Sequence, residues 1–192
     1  YASAGSAAIF VLVLGIIGMT TEYRHMTVTS TFLATPQRGR VMVAKMVVHA
    51  VLGLLFAVVA FVLAVALAAV LLPLKEHASI EPSVIWQIFG GALLAFAFYG
   101  VVGVALGALI RNQIAAILAA LVWVLLVEAL VVAFLPKVGK FLPGGAANGV
   151  LQAASFSGEG YLPVWQSSLV LLGYGVLFAV IAARTTLRRD IT

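Results

Sequence analysis

The sequence predicts an all-α integral membrane protein with five transmembrane helices, on three observations. Of its 192 residues, 64% are hydrophobic and only 9% charged, where soluble domains carry about 25% charge. Mean hydropathy is +1.21. The apolar residues also gather into five stretches of the ~20 residues or more that a helix needs to cross the hydrocarbon core.

The first stretch runs from the start to Thr21, with AGSAAIFVLVLGIIGM at its heart. The second covers about Val41 to Leu74, interrupted near its beginning by Lys45 and His49. The third lies between Glu81 and Arg111, the fourth runs from Asn112 to about Pro136 with Glu128 inside it, and the fifth from Pro163 to Ala183. The second and third exceed what a ~30 Å core requires, so they tilt or protrude. The first is not a signal peptide by pattern: it has no basic leader and no small-x-small cleavage site, and its positive charges follow it. The length allows one domain, 1–192.

Orientation follows from lysine and arginine, which are retained on the cytoplasmic side of short loops. Arg24, Arg38, Arg40, Lys45, Arg111, Arg184, Arg188 and Arg189 fall in one set of loops; Lys75, Lys137 and Lys140 fall in the other. Eight against three places the 22–45 loop, the tight Arg111–Asn112 turn and the C-terminal tail inside. The first helix then begins outside, and a further transmembrane helix is expected before residue 1. The net charge of +5 reflects these cytoplasmic loops, and no nucleic-acid partner is inferred from it.

Two loops carry information. In the inner loop TTEYRHMTVTSTFLATPQRGR, Thr20 or Thr21 can cap a short helix, Glu22 suits its positive end, and Pro36 with Gly39 ends it. Met26, Val28, Phe32 and Leu33 give it a partial apolar face. The expectation is a helix over 21–35 lying along the membrane, either as interfacial padding or as a docking element for a cytoplasmic partner. The outer loop, Pro136 to Pro163, has 28 residues, long for a connection. Its Pro143-Gly144-Gly145 and the Gly158–Gly160 region are expected to break the chain, and Asn148 to Ser155 to form two helical turns. A loop over 136–162 with this many apolar residues folds back onto or into the outer leaflet, where protein or water must satisfy its backbone.

Several chemistries are excluded. Zero cysteines remove disulfides, thiolate metal sites and cysteine nucleophiles. The single Gly-Lys pair, Gly139-Lys140, precedes Phe141 and is no Walker motif; there is no HExxH, no GxSxG and no usefully spaced carboxylate pair. The chain therefore carries no expected catalytic residue. His25, His49 and His77 fall in different regions, so no metal site is expected.

Glu128 is the ionisable group deep in a span, about 12 Å from the outer end at 1.5 Å per residue. An acid there costs about 2.5–3.5 kcal/mol on insertion scales and faces a partner or a wet cavity. Two readings stand: a carboxyl held protonated or bonded to backbone ends of the folded-back outer loop, or a gate or substrate contact. Gly103 and Gly107, with Gly100 one turn earlier, form a small-residue seam in the third span that suits close helix packing, within the chain or between two chains.

Glu22-Tyr23-Arg24-His25-Met26-Thr27, then Leu33-Ala34-Thr35-Pro36, Arg40 and Ala44-Lys45, resemble the permease subunit of a type-2 ABC exporter. That family carries an E-Y/R-x-x-x-T stretch, an L-x-x-P and an R…A-K pair between its second and third membrane helices. Met26 departs from the glycine common there. Gly107-Ala108-Leu109-Ile110-Arg111-Asn112 is similar to the family's G-x-x-x-R/K-N turn, and Leu142-Pro143-Gly144-Gly145 to its outer loop before the last helix.

The resemblance implies a six-helix permease of a bacterial plasma membrane, with these five as helices two to six. It implies that 21–35 is the coupling helix seated on a separate ATPase, with Glu22, Tyr23, Arg24, His25, Met26 and Thr27 facing it. It implies a re-entrant pair of short helices over 136–162, and a second permease chain, identical or different. The chain itself would hold no cofactor; ATP and magnesium would belong to the ATPase. Efflux of a drug, lipid or polysaccharide is the function so implied. A membrane scaffold or sensor recruiting a cytoplasmic partner, and an ion-coupled transporter using Glu128, are the alternatives.

Overall fold

A computed structural model describes residues 2–25, 38–71, 82–151 and 160–188. Among these residues the chain is helical, with no strand. Five stretches are long and apolar enough to cross a membrane: Ala7–Arg24, Gly39–Val70, Ser83–Leu109, Gln113–Phe134 and Val164–Ala182. This is the architecture of a multi-pass membrane protein.

The helices are α1 (Ala2–Arg24), α2 (Arg38–Leu71) and α3 (Pro82–Leu109), followed by α4 (Gln113–Val122). A π-turn over Trp123–Val127 joins α4 to α5 (Glu128–Phe134). Two short helices follow, α6 (Pro136–Gly139) and α7 (Pro143–Val150), then α8 (Val164–Arg188). The centre of the bundle is α3, which packs against α1, α2, α4, α7 and α8. Its span is 67% buried, whereas that of α2 is 11% buried. The exposed face of α2, with Val47, Val51, Leu55, Val59 and Val62, is apolar throughout, as a lipid-facing surface requires.

Glycines set how closely α3 approaches its neighbours. A Cβ on Gly103 would strike the Leu12 carbonyl oxygen, and one on Gly107 would come within 2.9 Å of the Ile16 carbonyl oxygen. On the other side of the seam, a Cβ on Gly15 would lie 2.7 Å from the Gly100 carbonyl oxygen. Gly100 itself faces the backbone of His49 on α2. Backbone-to-backbone packing of this kind replaces the hydrophobic drive that helices lack in lipid. The Gly103/Gly107 seam is thus filled within the chain, by α1.

Two local expectations are corrected. Thr20 and Thr21 do not cap a new helix, because α1 continues through them to Arg24. The Thr20 hydroxyl donates to the Ile16 carbonyl at 2.8 Å, one turn back in the same helix, and is fully buried. Glu22 accordingly sits in the last turn of α1, the negative end of a helix dipole. Lys45 of α2 offsets that misplacement with an ion pair at 2.6 Å. Secondly, Pro143-Gly144-Gly145 does not break the chain: it opens α7. Proline is pre-shaped for the first helical position. Both glycines are there for clearance, since a Cβ on Gly145 would collide with the Gly139 carbonyl and one on Gly144 with the Glu128 carboxylate. The helix expected from Asn148 begins five residues earlier, at Pro143, and residues 152–159 lie outside the described part.

Gly103→Val drives side-chain atoms into the α1 backbone and is expected to destabilise the fold by about 1–3 kcal/mol or more. Gly173→Ala, at a position with nothing within 4 Å of an added Cβ, should be neutral or stabilising by up to about 1 kcal/mol. Thermal unfolding in detergent, followed by loss of the monodisperse chromatographic peak, distinguishes the two.

Candidate functional site

Two polar constellations stand out against the apolar bundle, one at each end. The first gathers where α1 ends, α2 begins and α3 turns into α4. Lys45 Nζ reaches Glu22 Oε1 at 2.6 Å and donates to the Gly18 carbonyl oxygen at 3.1 Å. The His49 ring packs against Gly18, where a Cβ would overlap it, and its Nδ1 lies 2.8 Å from the Lys45 carbonyl oxygen. The Arg111 guanidinium lies over the Tyr23 ring at 5.6 Å, within cation–π range. Asn112 turns the chain into α4 by accepting the Ala115 N–H on its side-chain oxygen at 3.1 Å. An open cleft of about 640 Å³ lies beside this cluster, lined by Tyr23, Arg24, Arg111, Asn112 and Gln113 among others.

Of the expected partner-facing residues, Glu22, Tyr23 and Arg24 form the last turn of α1, and the His25 N–H still donates to the Thr21 carbonyl at 3.0 Å. Met26 and Thr27, with the remainder of the expected 21–35 helix, lie outside the described residues, as does His77. No group of metal-ligating side chains occurs among the described residues.

The second constellation is built around Glu128. The residue is 3% exposed, and Oε1 accepts the Gly144 N–H at the first turn of α7. The Gly145 N–H lies beside the same carboxylate. Leu142, the residue before α7, has no side chain able to cap it, so Glu128 serves as the cap from across the fold. Oε2 is buried and has no hydrogen-bond partner among the described residues.

Glu128 reaches this place because of the π-turn before it. The inward positions of the fourth span are Ala116, Ala120, Val124 and Glu128, a spacing of four. On a straight α-helix that spacing drifts by about 40° per step. The wider π-turn takes up the drift, with the Glu128 N–H donating to the Trp123 carbonyl five residues back.

An apolar cavity of about 360 Å³ opens next to the carboxylate. It is walled by Phe98, Tyr99 and Val102 of α3, Ala119 and Ala120 of α4, Trp123 of the π-turn, Phe178 of α8, and Leu12 of α1. Glu128 and Pro143 close one part of it. Beyond the cavity, α7 is locked to its neighbours by the same small-residue logic: Gly91 of α3 abuts the Val150 carbonyl, and Gly149 abuts the Ser167 hydroxyl of α8. Ser167 in turn donates to the Leu162 carbonyl at 3.1 Å. Asn148 donates to the Tyr161 hydroxyl at 3.5 Å, and burial pushes that phenol above its ordinary range, keeping it protonated at neutral pH.

Sequence reasoning isolated Glu128 but not Tyr99, Trp123 or the cavity they share. The four-residue spacing of small and inward positions was the available signal for the π-turn. Nothing local pairs Lys45 with Glu22, which are far apart in sequence. No protein-family model matches this chain, and no curated protein matches it.

Replacing Glu128 with Ala leaves the first turn of α7 without its acceptor, at an expected cost of about 0.5–2 kcal/mol. Hydrogen exchange should accelerate at the amides of Gly145–Val150. Glu128→Gln keeps an acceptor oxygen for the Gly144 N–H, so those amides should exchange much closer to the wild-type rate.

Proposed function

We propose that the chain is the membrane-spanning permease of a type-2 ABC exporter, coupling ATP hydrolysis on a separate subunit to efflux of a hydrophobic or amphipathic substrate. One observation carries this reading. Residues that the resemblance draws from three separate stretches meet at one end of the bundle: Glu22 with Lys45 at 2.6 Å, and Tyr23 beneath Arg111 at 5.6 Å.

In this reading that end is cytoplasmic, on the bias of arginine and lysine toward it. The 21–35 segment is the coupling element, and Glu22, Tyr23, Arg24, His25, Met26 and Thr27 present it to the ATPase. Because Lys45 holds both the Glu22 carboxylate and the Gly18 carbonyl, α1 and α2 would respond together to a push on the segment between them. In the same reading, α6 and α7 at the opposite end would be the re-entrant pair. A second permease chain would complete the path against the exposed apolar faces.

The full-length protein, extracted in mild detergent by affinity tag, is expected to bring down an ATPase in stoichiometric amount. Scrambling residues 22–35 should abolish both the co-purification and the ATPase activity while leaving membrane insertion intact. A chain that purifies alone, even after crosslinking before extraction, overturns the reading and favours a scaffold or sensor.

The Glu22–Lys45 pair gives an independent check. Glu22→Lys should lower the ATPase activity of the complex, and the exchanged pair Glu22→Lys with Lys45→Glu should recover part of it. Equal losses in the single and exchanged variants would mean that the pair does not transmit the movement.

A further inference from the structure

We propose that the cavity between α3, α4 and the π-turn is a binding site for a lipophilic amine, with the protonated nitrogen on Glu128 Oε2 and the apolar body among Phe98, Tyr99, Trp123 and Phe178. The site belongs to the chain itself and does not rest on an ATPase partner.

The argument begins with the unused half of the carboxylate. One oxygen caps α7 through the Gly144 N–H. The other, Oε2, is buried without a partner among the described residues. An orphaned carboxylate oxygen in an apolar surrounding is costly, and a capping role alone needs only one oxygen. Among the described residues, no lysine, arginine or histidine contributes to the cavity wall. The described residues offer Oε2 no charged donor, and a ligand carrying a positively charged donor would satisfy it.

The wall specifies the rest of the ligand. Its surface is almost entirely apolar, and four of the side chains on it are aromatic. Aromatic faces attract a cation through their quadrupole, most strongly where water is excluded. A volume of about 360 Å³ lies within the range of sites that take small organic molecules. A metal ion or a proton alone would leave this aromatic volume unfilled, and an anion would meet the carboxylate. Trp123 is half exposed on the outer surface of the bundle, so the cavity has a side toward the membrane, from which a lipophilic amine enters without first crossing water.

The test uses the full-length chain in nanodiscs of zwitterionic lipid, titrated calorimetrically with 1-naphthylmethylamine and with its uncharged counterpart 1-naphthalenemethanol. The amine is expected to bind saturably, at one site per chain, and the alcohol only to partition into lipid. Glu128→Gln should weaken amine binding about tenfold or more. Ala119→Trp narrows the cavity from an exposed position on its wall, away from the carboxylate, and should abolish saturable binding. If Glu128→Gln is not monodisperse, the Ala119→Trp variant and the amine/alcohol comparison decide. Partitioning without saturation in the wild type, equal binding of amine and alcohol, or unaltered binding in a folded Glu128→Gln or Ala119→Trp protein each overturns the proposal and leaves Glu128 as a cap for α7.

Discussion

The hydrogen bond from Gly144 to Glu128 is the contact on which the α7 end of this molecule depends. A helix that starts inside a low-dielectric fold exposes first-turn N–H groups that no lipid can satisfy. Proline at the first position of α7 removes one donor, and the Glu128 carboxylate accepts the next. The acid is costly in the span by itself, and the uncapped helix is costly in the loop by itself. Each group offsets part of the other's penalty. The π-turn, the glycines at 144 and 145, and the seating of α7 against α3 and α8 all follow from bringing these two groups together.

The bundle holds this geometry with little side-chain interlocking. Along the α1–α3 seam, Gly15, Gly100 and Gly103 bring backbones into direct contact, and Gly91 does the same between α3 and α7. Such contacts are specified by shape: adding one carbon at Gly103 forces the α1 backbone to move, while a carbon at Gly173 meets nothing. This explains why α3 is central although its neighbours are equally apolar. It is the helix whose small residues admit others on several faces.

The spans were legible because the bilayer imposes length and polarity on sequence directly. The described helices lie within a few residues of the expected limits, and the Arg111–Asn112 turn falls at its expected place. The local misreadings share one cause. The expectations for Thr20 and Pro143-Gly144-Gly145 rest on behaviour in water, where threonine favours caps and proline with glycine favours turns. In the apolar interior the Thr20 hydroxyl has the Ile16 carbonyl as its neighbour, and Gly144 and Gly145 are selected by clearance to Glu128 and Gly139. The functional geometry was less legible for another reason. The Glu22–Lys45 pair, the Tyr23–Arg111 stack and the Tyr99–Trp123–Glu128 cavity each join residues from different helices, and periodicity within one helix carries no record of them.

One element belongs to both constellations. Helix α1 carries Glu22 at the polar end and presents Leu12 to the cavity wall, about 15 Å apart at 1.5 Å per residue. Between them lie Gly15 and Gly18, each in contact with another helix at backbone distance or against the His49 ring. Backbones in direct contact at these glycines resist sliding past one another, so the seam favours movement of α1 as a body. A displacement of Glu22 along the α1 axis would then carry Leu12 with it and reshape the wall of a cavity that runs from Ile110, beside Arg111, to Glu128.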